Sequence, residues 1–370
     1  MVNKSFSERV LTKRTALVIG TGTIGEPLIG LLCDFAEDLE LDAVLFHKRT
    51  PLSYEKSKVN SLIDRGAKLV VDENSIEKFA ALGHAISLTT TNALEQADVV
   101  IDCTPAGNEN KDLLYQEFSR NSDKTFIAQG SEKGFGMPFA HGINDASVLR
   151  ERHPYIQVVS CNTHNIAALL KTVDPELRSI TMADFVCIRR ASDISQHKGF
   201  AASPTVDGHH NRLYGTHHAQ DAADLLLTVT PDRVVPAFSS SMKLNTQYMH
   251  CIRFNIRLRG VYTREAILSK FEKNKYFAIT EKNDAGRVFS FGRDHGYYGR
   301  LMNHGVLVEE SLHVYTPPMS GETWLTGFCF TPQDGNSLLS SIAATSLSLH
   351  PRQKHNKIME NFHEYLFQEI

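Results

Sequence analysis

The 370-residue chain has no apolar run near the roughly 18 residues that a membrane span needs. The first 14 residues are polar and mixed, and the apolar stretch that follows, residues 16–19, is too short for the core of a signal peptide. Both absences lead us to expect a cytoplasmic protein without a membrane partner. A large charge excess is also missing. The formal net charge is −3, so no basic field advertises nucleic acid. The six cysteines, at 33, 103, 161, 187, 251 and 329, form no C-x-x-C pair of the kind found in zinc or redox sites. In a reducing compartment they are expected to be free thiols, mostly small core residues. Internal repeats and low-complexity linkers are absent too.

What is present is ordinary for a globular enzyme: 42% hydrophobic and 22% charged residues, in a chain long enough for two cored domains. The N-terminal half alternates short apolar runs (16–19, 43–46, 69–71, 99–102, 126–128, 157–160) with helical patterns. One such pattern runs Leu28, Leu31, Leu32, Phe35, Leu39, with Pro27 suited to a first turn. This alternation predicts an α/β fold, a Rossmann-type doubly wound parallel sheet. After a helical stretch at 161–171 the texture changes. Segments 179–190 and 250–258 alternate like half-buried strands, which predicts an α+β catalytic domain with a mainly antiparallel sheet. Residues 191–222, rich in His, Gly and Asp, read as a long loop. Residues 337–347 and 356–368 read as helices. The expected division is a dinucleotide-binding domain at 1–160, a catalytic domain at 161–335, and C-terminal helices at 336–370 that pack back on the first domain.

Gly20-Thr21-Gly22-Thr23-Ile24-Gly25 is G-x-G-x-x-G, directly after the first strand and before a helix. The first glycine permits the tight turn, the second a close approach of pyrophosphate, and the third close packing of helix on strand. The helix N-terminus offers free N–H groups to phosphate. In place of the acidic residue that usually ends the second strand and holds the ribose of NAD, the sequence reads Phe46-His47-Lys48-Arg49-Thr50-Pro51. Lys48 and Arg49 suit a 2′-phosphate, which favours or at least admits NADP. A solvated basic loop is the plainer reading. Asp102-Cys103-Thr104-Pro105-Ala106-Gly107 forms a turn at the ligand-holding edge of such a sheet. Its Cys103 is expected to be only a small side chain beneath the cofactor.

Ser160-Cys161-Asn162-Thr163-His164-Asn165 lies where the last of these strands meets a helix. A helix N-terminus stabilises a thiolate, and its N–H groups can hold the oxyanion formed when that thiolate adds to an aldehyde. Position alone leaves a buried structural cysteine equally open.

Residues 160–163 resemble the active-site segment of the archaeal-type (type II) phosphorylating glyceraldehyde-3-phosphate dehydrogenases. The glycine loop, the basic turn Lys48–Pro51, the turns at 102–107 and 128–133, and Arg189-Arg190-Ala191-Ser192-Asp193 are similar to family segments in the same order. The resemblance spans roughly residues 14–260. It implies a homotetrameric oxidoreductase of glycolysis that uses NAD or NADP, a small phosphorylated aldehyde and inorganic phosphate. It makes Cys161 the nucleophile, places Thr104 and Gly130 on the nucleotide side, and gives Arg190, Thr163, His217 and His218 to substrate and phosphate. The catalytic base would be His250, from a segment that in the family reads Met-His-x-His. Here Ile252 stands at the second histidine, and a satisfied core histidine stays open as the reading of His250. For Arg190 the alternative is a strand-end ion pair. The histidines at 209, 210, 217 and 218 could in principle bind a metal, but no cysteine or paired carboxylate completes a recognisable site, so none is assigned. The family's His-Gln-Glu-Ser-like segment is replaced before Pro332 by residues 325–331, which leaves the aldehyde open. A semialdehyde dehydrogenase, as for aspartate semialdehyde, and a non-catalytic nucleotide-binding sensor are the competing readings.

Overall fold

The computed structural model describes residues 14–120, 123–130, 132–148, 152–192, 201–332 and 334–370. The polar N-terminal residues, Ser131, Asp193 and the rest of 193–200 in the expected loop lie outside the described residues.

The short apolar runs form one parallel sheet. Its strands are β1 (Thr15–Ile19), β2 (Ala43–His47), β3 (Lys68–Val71), β4 (Leu88–Thr89), β5 (Val99–Asp102), β6 (Thr125–Gln129), β7 (Met137–Phe139) and β8 (Tyr155–Val158). They lie in the order β4-β3-β2-β1-β5-β6-β8-β7. Strands covered on both faces are apolar throughout, and β1 and β5 are buried at every position. Ala16 and Val18 face the helices Gly25–Asp34 and Gly335–Leu349. Leu17 and Ile19 point the other way, onto Ala93, Leu94 and Tyr115. Between β2 and β5 the strand order reverses, so a crevice opens at the carboxyl end of β1, where such sheets hold ligands.

The second sheet comprises β9 (Ile180–Arg189), β10 (Thr205–Val206), β11 (Ala237–Lys243), β12 (His250–Arg259), β13 (Phe277–Thr280), β14 (Gly305–Val308), β15 (His313–Tyr315) and β16 (Glu322–Thr331). Its order is β10-β11-β9-β12-β16-β14-β13, with β15 on β16. Antiparallel pairs dominate, as the alternation predicts. The pairs β9–β11 and β13–β14 are parallel, because the helices His217–Leu227 and Ala285–His295 supply crossovers. Along β12, Ile252, Phe254, Ile256 and Leu258 are fully buried against the helices Cys161–Val173 and Arg264–Glu272. Arg253, Asn255 and Arg257 take the outer face.

Several boundaries differ from the sequence reading. The first helix ends at Asp34, so Leu39 lies beyond it. The strand expected at 157–160 runs two residues earlier, as β8. The long loop closes at Thr216, because His217 and His218 begin a helix whose buried face is Ala219, Ala222, Ala223, Leu225 and Leu226. The second C-terminal helix is Arg352–Glu360 and stops short. Phe362 packs on Phe35 in a tilted ring pair with centroids 4.4 Å apart, and the chain end is drawn beside β13, where Ile370 N donates to Ile279 O at 3.0 Å. The helix Gly335–Leu349 is buried at all positions. Its hydroxyls can be buried because Ser341, Thr345 and Ser348 donate to carbonyls four residues back. Among the described residues no helix is long and apolar enough to cross a membrane.

Candidate active site

The glycine loop fills the crevice after β1. Gly20 has φ +96°, a conformation that side chains disfavour, and a Cβ on Gly25 would come 2.1 Å from the Gly20 carbonyl oxygen. A Cβ on Gly22 would meet nothing within 4 Å, so the protein's own packing does not require that glycine. A phosphate approaching the backbone would. Opposite stands the turn after β5, organised by Asp102. Its fully buried carboxylate accepts from Thr104 N (2.8 Å), Thr104 Oγ1 (2.6 Å), Asn110 Nδ2 (2.7 Å) and Tyr115 OH (2.6 Å). Loop and turn line a cavity of about 450 Å³ with Lys48, Arg49, Thr50, Asp72 and Leu114. Cys103 is in this wall too, and burial holds its thiol well above the ordinary range. Lys48 pairs with Glu55, which also binds Lys58, whereas Arg49 is exposed. Thr23, Ile24 and Gly25 lead into the helix Gly25–Asp34, and the Thr23 carbonyl accepts from Arg300 at 3.3 Å. Gly130, at φ +64°, closes β6, where its N–H donates to Val158 O.

Cys161 opens the helix Cys161–Val173. Ser160 is the N-cap, and its Oγ accepts from Thr163 N at 3.4 Å. His250, at the start of β12, places Nδ1 3.8 Å from Cys161 Sγ and 3.0 Å from Asn162 Oδ1. Thr331 Oγ1 donates to that same Asn162 oxygen and accepts from Asn165 Nδ2. An Asn162 oxygen so oriented assigns the ring proton to Nδ1, shared between Asn162 and the thiol. Nε2 is left as the acceptor of the ring. Burial, then the positive charge of Arg190, holds the His250 pKa well below the usual histidine value. Burial raises Cys33 and Cys251 to about 11 and Cys187 to about 12, and puts Cys329 well above its ordinary value.

Around this pair the structure sorts the remaining candidates. Arg190 is 5% exposed, and its Nη2 lies 3.5 Å from Asp334 Oδ1, at the start of the helix Gly335–Leu349. Arg189, on the opposite face, pairs with Asp207 and is more open. His217 stacks on His218 at 4.0 Å. His218 is bonded to Thr216 Oγ1 at 3.1 Å, and burial lowers its pKa to about 3. Thr163 is fully buried, its hydroxyl 2.9 Å from Ser160 Oγ, which puts it in the helix cap. His209 stands apart, bonded to Ser240.

No family model matches the chain. It is similar over most of its length to curated proteins named glyceraldehyde-3-phosphate dehydrogenase. The Sulfolobus acidocaldarius protein is 26% identical over 312 residues, covering 82% of this chain and 84% of its own. The Saccharolobus islandicus protein is 29% identical over 275 residues (72% and 74%), and the Methanocaldococcus jannaschii protein 24% over 307 (80% and 84%). That similarity, to archaeal proteins of this name, runs from 24% to 29% identity.

Sequence reasoning from that resemblance missed Asn162, Asn165, Thr331, Asp334 and Asn336, the last of which donates to the Cys161 carbonyl at 3.1 Å. Asn162 and Asn165 carried a signal, being polar and one helical turn apart beside the cysteine. Thr331, Asp334 and Asn336 carried none, since only the tertiary fold brings Thr331 and Asn336 to the helix that starts at Cys161 and Asp334 to Arg190. The segment that replaces the His-Gln-Glu-Ser-like pattern is the end of β16, and its Thr331 pairs with His250 across the sheet.

Proposed function

We propose that this protein is a phosphorylating aldehyde dehydrogenase, like glyceraldehyde-3-phosphate dehydrogenase, that works through a thioester at Cys161. The observation that carries the reading is the thiol at a helix N-terminus with a neutral imidazole 3.8 Å away. Residues 1–160 hold the nucleotide, 161–335 the chemistry, and 336–370 pack back on the first part. Gly20, Gly22, Thr23, Ile24 and Gly25, with Lys48, Arg49, Thr104 and Gly130, would hold NADP or NAD, and the open space at Gly22 fits that group. The nicotinamide supplies the hydride acceptor.

The Cys161 thiolate adds to the aldehyde carbon, and N–H groups of the helix start stabilise the oxyanion. His250 takes the hydroxyl proton as the thiohemiacetal is oxidised to a thioester. Inorganic phosphate then attacks the acyl carbon, the thiolate leaves, and an acyl phosphate is released. Arg190, His217 and His218 serve the substrate phosphate or the attacking phosphate, and Thr163 holds the helix start. The enzyme acts in the cytoplasm as a homo-oligomer, a tetramer by family. One observation favours a second reading: Asp334 already faces Arg190, which suits a substrate with a single negative charge, such as a semialdehyde carboxylate, better than a phosphate. Assaying phosphorylated and free aldehydes with NAD and NADP, with and without phosphate, decides. Phosphate-dependent turnover of a phosphorylated aldehyde is expected; none, alongside activity on a semialdehyde, transfers the assignment to the second reading.

A further inference from the structure

Away from the cleft and the thiol, three side chains combine two imidazoles and a carboxylate. His141 lies just after β7, Asp145 starts a short turn four residues later, and His355 comes from the helix Arg352–Glu360. One ligand atom from each lies within 4.8 Å of the others. His141 is 6% exposed and His355 1%. The partly exposed Asp145 leaves a route to solvent.

His355 is the informative member. Its Nε2 points at Asp145 Oδ1 from 3.8 Å, too far for a hydrogen bond, so the buried ring turns that nitrogen toward a gap. A buried polar ring in that position is costly unless something fills the gap. Two ligands of one tetrahedral ion, each about 2.0–2.2 Å from it, are separated by nearly such a distance. We propose that His141, Asp145 and His355 bind one transition-metal ion, zinc foremost, which fastens the C-terminal helix to the turn after β7.

Two nitrogens and one oxygen suit zinc or a similar ion, whereas calcium and magnesium prefer all-oxygen shells. Outer partners are in place for His141 and Asp145, whereas His355 Nδ1 has none among the described residues. Tyr276 OH bonds His141 Nε2 at 3.1 Å, which fixes that ring with Nδ1 toward the site, and Gly142 N donates to the second Asp145 oxygen. Arg352 donates to the main-chain oxygen of Asp145 rather than to its carboxylate. His141 Nδ1 and Asp145 Oδ1, now 2.5 Å apart, separate by a small side-chain rotation as both turn toward the ion.

The test uses full-length protein with Cys161 alkylated by iodoacetamide, so that the thiol holds no metal. After chelator dialysis it is titrated with zinc and, separately, with cobalt(II). The expected results are one zinc retained per chain, a rise of about 3 °C or more in Tm, and a tetrahedral cobalt spectrum without a thiolate charge-transfer band. His355→Ala and Asp145→Asn should lose the ion and the Tm rise. Failure of the wild type to retain zinc overturns the proposal, as does equal retention by both variants or a thiolate band. If the variants do not fold, the wild-type stoichiometry and cobalt spectrum still decide.

Discussion

The glycine cleft and the thiol centre are built by opposite means. The cleft is largely backbone: a loop at positive φ, a helix start, and a turn held from beneath by Asp102. The bonds that shape its turn are local in sequence, from Thr104, Asn110 and Tyr115 to Asp102, while Arg300 reaches the Thr23 carbonyl from far along the chain. The thiol centre is side chains from distant segments, with Cys161 and Asn162 on one helix, His250 on β12 and Thr331 on β16. On the proposed reading each of those groups has a separate task. Substitutions at the thiol should therefore remove chemistry and spare binding, and substitutions at the loop should do the reverse.

The largest effect is expected at Cys161. Cys161→Ser should lower turnover by about 1,000-fold or more while nucleotide affinity holds, because a hydroxyl is a far weaker nucleophile at neutral pH. Cys103→Ser, in the cleft wall, should keep turnover. Comparable losses from the two would erase the contrast. His250→Asn comes next, at about 100- to 10,000-fold in kcat. Since burial and Arg190 depress the His250 pKa, the ring stays a neutral base as pH falls through the usual histidine range, and the acid limb of kcat lies below it. Arg190→Gln should move that limb upward; a limb that stays in place would mean that another group sets it.

Stability should separate the glycines. Gly25→Ala pushes a methyl into the Gly20 carbonyl and should cost about 1–3 kcal/mol by denaturant melts. Gly22→Ala should change stability by under about 0.5 kcal/mol and weaken the nucleotide about tenfold. If it destabilises the apoprotein instead, Gly22 is a folding residue and says nothing of a ligand. The thiol side has its own signature in acid. Burial holds His164 well below its usual pKa, His218 at about 3 and His304 at about 4. A depressed histidine binds its proton only on unfolding, so its contribution is full above about pH 6.5 and is lost as pH falls. Each should cost about 1 kcal/mol between pH 6.5 and 5.5. A flat stability profile over that window would contradict the buried neutral state.

The same contrast explains what could be read in the sequence. The first sheet was legible because strands buried on both faces are short, apolar and regularly spaced, and because the glycine loop is contiguous. Edge strands β4 and β7, of two and three residues, are too short to alternate. The proposed roles of Cys161 and His250 were suggested by the order of motifs shared with a family, and for Cys161 also by its place where a strand meets a helix. The partners that orient them were not, because Asn162 meets Thr331 only after β12 and β16 have paired. The histidine pair 217–218 looked like loop because its polar side chains masked the alanine and leucine face that follows. His141, Asp145 and His355 show the limit: nothing in the spacing of three ligands from distant segments announces that they converge.

The smallest effect expected is at the basic turn, and the structure divides the two cations there. With no carboxylate at the end of β2, NADP should bind better than NAD. A well-formed charge-assisted bond to the 2′-phosphate contributes roughly 1.5–3 kcal/mol. Lys48 is already engaged by Glu55, which Lys58 also contacts, so Lys48 has less to offer a phosphate. Arg49 is exposed and pairs with no carboxylate among the described residues, so it can swing to the ligand, but solvent and salt screen it. Arg49→Ala should weaken NADP about three- to fivefold, roughly 1 kcal/mol, and Lys48→Ala less. The double variant should erase most of the preference, with the NAD constant nearly unchanged, when both dissociation constants are measured at fixed ionic strength. A wild type that prefers NAD would show that the turn is only a solvated basic loop. An equal loss of both nucleotides would mean that Lys48 and Arg49 shape the cleft and do not read the phosphate.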